Sequence, residues 1–247
     1  MIRGLYTAAK GMMTEAARQE TITNNLVNSE TTGFKKDLAV LRAPERSVVR
    51  VGDAGGRTVI GTLGLGPLVD RLHTTHDQGD LRETGRSLDL ALSGEGFFVV
   101  ETPGGWRHTR NGAFTLDADR YLVDDHGQRV QGTNGPLQVA AGEVQIDVSG
   151  RVVSDGVPQG QLRIESFADS SQLQKVGRNL FAADAALEAI PFNGQVHQGF
   201  LESSNVQVLQ EMVRMLTAQR AYETNQRVLL AQDELLGKAV NEVGVVR

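Results

Sequence analysis

The stretch NNLVNSETTGFKK, residues 24–36, decides how the rest of the chain is read. Upstream of it, apolar residues recur at Ile2, Leu5, Ala9, Met12, Ala16, Ile22 and Leu26. Most are three or four apart, the spacing of one apolar stripe along a helix. No proline interrupts the run from Ile2 to about Asn28, and Gly4 and Gly11 weaken a helix without ending it. At about 1.5 Å per residue such a helix spans roughly 40 Å. Within the stretch, Asn28 or Gly33 suits the left-handed position that closes a helix, and Lys35-Lys36 lies beyond it as cations after a C-terminus. The stretch is therefore read as the end of a helix turning out into a loop.

A second helical pattern closes the chain. Ser203, Ser204 or Asn205 is placed to cap it, and Val206, Leu209, Met212, Val213, Leu216, Leu229, Leu230, Leu236 and Val240 form its stripe. The stripe turns polar across Gln219, Arg220, Ala221, Tyr222, Glu223, Thr224, Asn225 and Gln226. Either the polar middle sets register or partner in a coiled-coil seam, or the stripe drifts round the helix. An isolated amphipathic helix of this length is only marginally ordered in water, so both ends are expected to fold with a partner.

Between the helices, turn signals fall every seven to ten residues: PGG at 103, RNG at 110, DDHG at 124, TNG at 133, SG at 149 and SDG at 154. Short β-type runs separate them at 88–92, 97–101, 113–116, 120–123, 144–148, 151–154 and 162–167. This punctuation predicts an antiparallel meander or small barrel-like domain. Residues 43–66 are glycine-rich without a period and read as an extended linker or irregular strands. The fold class expected is α+β: long N- and C-terminal helices pairing as a coiled-coil-like layer, with a central antiparallel β-rich domain. The expected division is helix 1–34, linker 35–86, β domain 87–185, return linker 186–202 and helix 203–247.

Composition narrows the function classes. The 247 residues suffice for one substantial core or two modest ones, and the net charge of −5 gives no general attraction to nucleic acid. The absence of cysteine excludes thiol catalysis, disulfides and thiolate metal sites. No apolar run reaches the roughly 18–20 residues of a membrane helix, so no membrane insertion is expected. Lys10 and Glu15 interrupt the N-terminal apolar residues before a signal-peptide core forms.

Site chemistry is thin. His73 and His76 stand three apart near Asp77, yet no third ligand cluster accompanies them. Asp117, Asp119, Asp124 and Asp125 fail the EF-hand pattern, because Gln128 stands where its closing glutamate is needed and Arg120 sits inside the group. Gly94-Glu95-Gly96 precedes a strand, whereas the dinucleotide fingerprint opens a helix. His108 and His126 carry no triad signature, and Lys35-Lys36 with the lone Trp106 makes no nucleic-acid platform. No cofactor, metal or catalytic residue is expected.

Three blocks resemble the flagellar rod and hook family of axial proteins. In the first, Asn24, Asn25, Leu26, Asn28, Thr32, Gly33, Phe34 and Lys35 match the family's Asn-Asn-Leu-Ala-Asn…Thr-x-Gly-Phe-Lys signature, with Val27 in place of alanine. The second, GEGFFVVETPGGWRHTRNGAFTLDADRYLVDDHGQRVQG at 94–132, is similar to the family's glycine-phenylalanine strand and Thr-Arg-x-Gly-x-Phe hairpin, with Arg120 at a common turn glycine. The third, GFLESSNVQVLQEMVRMLTAQRAYETNQRV at 199–228, is similar to the Leu-Glu-x-Ser-Asn-Val and Gln-Arg-Ala-Tyr-Glu segments. The blocks stand in family order.

The resemblance implies a non-enzymatic subunit of the bacterial basal-body rod. Its terminal helices form an inner tube, with a linker and β domain outside, and it reaches the rod through the flagellar type III export apparatus without a cleaved signal. Its partners would be other copies of itself and neighbouring axial proteins. The lack of a large central insertion favours rod over hook, and the start MIRGLYTAAKGM and the tail incline towards the distal rod type. The subunit contacts expected are Ile2, Leu5, Met12, Ile22, Asn24, Asn25, Leu26, Asn28, Gly33 and Phe34, with Asn205, Leu209, Met212, Val213, Leu216, Gln219, Arg220, Tyr222, Asn225, Leu229 and Leu236. A glycan-directed enzyme of the cell wall and an adhesin-like module with coiled-coil ends are the readings from other classes.

Overall fold

The computed structural model describes residues 2–43, 47–51, 58–64, 66–184, 187–239 and 241. The chain divides into two compact units: 1–26, 37–73 and 208–247 form one, and 27–36 with 74–207 form the other.

The first unit holds both long helices, α1 (Ile2–Val27) and α2 (Val208–Lys238). Helix α2 begins at Val208, so Ser203, Ser204 and Asn205 lie before its first turn. Asn205 spends its side chain on backbone, its Oδ1 accepting from Lys36 N at 2.8 Å and its Nδ2 donating to Thr75 O at 2.9 Å. Strand Asp37–Arg42 pairs with Leu68–Thr74, and Ser47–Val51 pairs antiparallel with Thr58–Leu63. Of the segment expected to be linker, residues 44–46, 52–57 and 65 lie outside the described residues. Hydrogen bonds from Asn25 and Thr14 tie α1 to this part of the unit. Asn25 Nδ2 donates to Asp37 O at 2.8 Å while its Oδ1 accepts from Asp37 N at 2.9 Å, and Thr14 Oγ1 donates to Pro67 O at 3.0 Å.

The second unit is antiparallel β structure. Its centre is the hairpin Phe97–Thr102 with Gly105–Thr109, flanked by Arg129–Gly132 on one side and Leu180–Ala182 on the other. Phe97, Phe98, Val99 and Val100 are all buried. A strand covered on both faces reads as a continuous apolar run, not as alternation. Phe98 and Val100 point into the main core with Leu90, Leu92, Phe114, Leu122, Val130 and Val152. Phe97, on the opposite face, packs with Phe167, Leu173 and Phe181. Segments expected as connections also pair. Gln195–Gln198 lies against Leu90–Ser93, and Phe200–Glu202 against Leu81–Glu83. These strands are three or four residues long, too short for a period to show.

The polar candidates become structural parts. His76 packs edge-on against Phe97 and Phe181, with centroids 5.5 and 5.1 Å away. Asp124 Oδ1 accepts from His126 N and Gln128 N, and Asp117 Oδ1 accepts from Tyr121 N, so these carboxylates brace hairpin turns. Arg120 does occupy a left-handed turn position, at φ 63°. It donates to Val139 O and Ala140 O at 2.8 and 2.5 Å.

Candidate assembly surface

The two helices pack together and run antiparallel. A Cβ on Gly4 would meet the Gln232 side chain at 3.2 Å, and one on Gly11 would meet Asn225 Nδ2 at 2.9 Å. The seam they share is small and polar. Ala8, Gly11 and Ile22 are buried on α1, and Glu211 and Ala218 on α2. Glu211 Oε1 accepts from Arg214 at 2.6 Å. Small residues let the backbones approach closely, and the amides of Asn225 and Gln232 lie over the glycine notches.

The apolar residues of α2 lie elsewhere. Leu209, Met212, Val213 and Leu216 are 79%, 49%, 64% and 56% exposed, and their three-and-four spacing makes them one ridge. Glu211, Arg214 and Ala218 occupy the opposite face of the same turns, so the opening of α2 has its polar side in and its apolar side out. On α1, Tyr6, Met13 and Val27 are likewise exposed. Ile22 and Asn25 are buried, Leu5, Met12, Leu26 and Asn28 half-buried, and Asn24 exposed. On α2, Gln219 and Arg220 are exposed, and Tyr222, Asn225, Leu229 and Leu236 half-buried. The side chains of Ile2 and Val240 lie outside the described residues.

Gly33 and Phe34 belong to a different setting, inside the β unit. Asn28 O accepts from Thr31 N and Thr31 O from Phe34 N, both at 3.2 Å, which curls the loop after α1. Gly33 sits at φ +66°, and a Cβ there would lie 2.5 Å from the Arg110 carbonyl carbon. Only glycine meets both demands. Gly33 N donates to Glu202 O at 2.7 Å, and the next two residues are buried, Phe34 under the Lys175 ammonium at 4.1 Å.

Lys35 is fully buried, and so is its partner Glu202. Lys35 Nζ donates to Glu202 Oε1 at 2.6 Å and to Asp77 O at 2.7 Å. Arg110 donates to Glu202 Oε2 at 3.2 Å and to Gly94 O at 2.6 Å, with its guanidinium 5.2 Å above the Phe97 ring. Glu202 Oε1 also accepts from Gly79 N at 2.9 Å. Two cations thus share one carboxylate out of water. Burial pushes both the Lys35 ammonium and the Arg110 guanidinium below their ordinary pKa values, against the upward pull of Glu202. No local sequence pattern marks this cluster, and by spacing alone Lys35 reads as a cation beyond a helix end.

Three stretches of the chain match known family models. Residues 5–35 match the model described as flagella basal body rod protein, and 91–157 that of the flagellar hook protein FlgE/F/G D1 domain. Residues 197–242 match the flagellar basal body rod FlgEFG protein C-terminal model. The flagellar basal-body rod protein FlgG of Bacillus subtilis is 34% identical over 261 residues, covering 98% of this chain and 99% of the relative. The chain belongs to the flagellar basal-body rod and hook family. FlgF of Caulobacter vibrioides is 32% identical across the whole of both chains, and the hook-basal body complex protein FlhO of Bacillus subtilis 31% identical across both. Lys35, Arg110 and Glu202 come one from each matched segment. As a member of this family the chain is a structural, polymerising subunit of the flagellar axis and not an enzyme. Among the described residues, no helix is long and apolar enough to cross a membrane.

Proposed function

We propose that this chain is a rod subunit which polymerises through its helix layer into the axial structure carrying torque from motor to hook. The observation that carries this reading is the inverted opening of α2, with Leu209, Met212, Val213 and Leu216 exposed while Glu211 and Ala218 are buried. Burying such side chains returns roughly 1.5–3 kcal/mol each, less what is already covered. Bringing two copies together costs about 4–15 kcal/mol, so one ridge barely holds one neighbour. A subunit touching several neighbours shares that cost. Assembly through heterologous contacts that do not close is then cooperative and gives a helical filament.

In this reading the ridge, the exposed α1 residues and the half-buried Leu229 and Leu236 meet neighbouring copies, and Asn24, Gln219 and Arg220 lie on their polar margins. Other axial proteins bind at the ends of the stack. The subunit reaches its place in the rod, outside the inner membrane, through the flagellar type III export apparatus. Its similarity to the rod proteins FlgG and FlgF favours rod over hook.

The test is Leu209→Ser with Val213→Ser in the full chain, followed by sedimentation at rising concentration. The variant is expected to stay soluble and folded where the wild type pellets as filaments. Equal pelleting by the variant would refute the reading.

A further inference from the structure

Four times the chain passes between its two compact units, after residues 26, 36, 73 and 207. Within the β unit, the stretches that carry these passages (27–36, 74–79 and 202–207) gather round the Glu202 carboxylate. We propose that Lys35, Arg110 and Glu202 are positioning residues for assembly, which hold these stretches in one arrangement before any neighbouring subunit arrives. The proposal rests on the reading of the chain as a self-assembling subunit.

Stability alone does not account for the cluster. A buried ionic group costs several kcal/mol per ion to desolvate, and apolar residues of like volume are often as stable or more so. Two cations are hydrogen-bonded to one carboxylate, and the Arg110 Nε finds no acceptor among the described residues. What ions supply and apolar side chains do not is direction. Each bond here joins a different pair of segments: Lys35 to Asp77 O, Glu202 to Gly79 N, Arg110 to Gly94 O, and both cations to Glu202.

Backbone contacts follow the same lines. Thr75 N donates to Lys36 O at 2.9 Å, Ser203 N to Asp80 O at 2.8 Å, and Asn205 N to Phe34 O at 3.3 Å. Asn205 spans the set, accepting from Lys36 N and donating to both Thr75 O and Asp77 O. Gly79 lies so near the 202–207 stretch that a Cβ would fall 2.0 Å from Ser203 O. The loop after α1, the approach from residue 74 and the departure towards α2 are therefore fixed to one another inside this unit.

The experiment separates direction from stability. The full-length triple variant Lys35→Met, Arg110→Met, Glu202→Met removes the charges and keeps most of the volume. It is expected to melt within a few degrees of the wild type, followed by Trp106 fluorescence, yet to need about tenfold more protein to assemble, the weight of one lost directed bond. A folded triple variant that assembles at the wild-type concentration overturns the proposal. Should the triple variant not fold, Lys35→Met alone keeps a neutral Glu202–Arg110 pair. Amide exchange at 33–36 and 75–79 is then expected to rise while 97–100 stays protected, and unchanged exchange overturns the proposal. A wild-type chain that never assembles would sink the proposed function, whereas the exchange result judges the positioning role by itself.

Discussion

Removing the carboxylate of Glu202 should be far more damaging than removing either of its partners. The Glu202→Gln variant leaves Lys35 and Arg110, both buried, without their hydrogen-bonded carboxylate, so that only the more distant charges of Asp77 and Glu95 still act on them. Breaking a buried pair by removing one partner typically costs 3–5 kcal/mol, or about 4 kcal/mol at the midpoint. For a chain of this size each kcal/mol moves the melting midpoint by about 2–4 °C, so a fall of roughly 10 °C is expected. Lys35→Met differs in kind, because Arg110 still neutralises Glu202. It loses charge-assisted bonds to Glu202 and Asp77 but also relieves the desolvation that pushes the Lys35 ammonium's pKa down. Its net cost should be about 1–2 kcal/mol. Thermal melting followed by Trp106, the chain's one tryptophan and part of the central hairpin, reads the β unit directly. If Lys35→Met destabilises as much as Glu202→Gln, the two cations do not depend on the shared carboxylate as described.

Two further outcomes follow from the helix seam and the hairpin. Gly11→Ala gains about 1 kcal/mol of helix propensity but places a Cβ against Asn225, an overlap worth roughly 1–3 kcal/mol. The same change in an Asn225→Ala background should therefore become stabilising, and additivity in far-ultraviolet dichroism melts would deny the glycine notch. His108 Nε2, at 2.8 Å, and then Arg163 hold the Glu165 carboxyl below its usual range. A depressed folded pKa gives stability that is present above the unfolded value near 4.5 and lost as pH falls through the folded one. Glu165→Gln should flatten the acid limb of the β unit's pH–stability curve, and an unchanged limb would count against this pair.

The parts legible from sequence were those whose signals are local. Three-and-four apolar spacing marked both helices, and turn residues at short intervals marked the antiparallel hairpins. FFVV at 97–100 was legible as a strand, while its coverage on both faces depends on Phe167 and Phe181 far along the chain. The face each helix buries was not legible. Apolar periodicity records that a face is covered by something, without distinguishing the same chain from another copy. Leu209, Met212, Val213 and Leu216 therefore looked like a seam, although inside one chain Glu211 and Ala218 occupy it.

The buried charge cluster was hidden for a related reason. Lys35 and Glu202 are 167 residues apart, and Arg110 and Glu202 92 apart. No periodicity joins them, and the cost of burying them can be judged only once the fold has excluded water. What could have raised suspicion is that each stands inside one of the three motifs that carry the family resemblance.

Electron microscopy of the purified full-length protein at rising concentration shows whether the α2 ridge drives assembly. Folded monomer is expected at low concentration and, above a threshold, open filaments of helical symmetry that the Leu209→Ser/Val213→Ser variant does not form. Closed oligomers of fixed size, or filaments that form equally well without the ridge, would contradict that expectation.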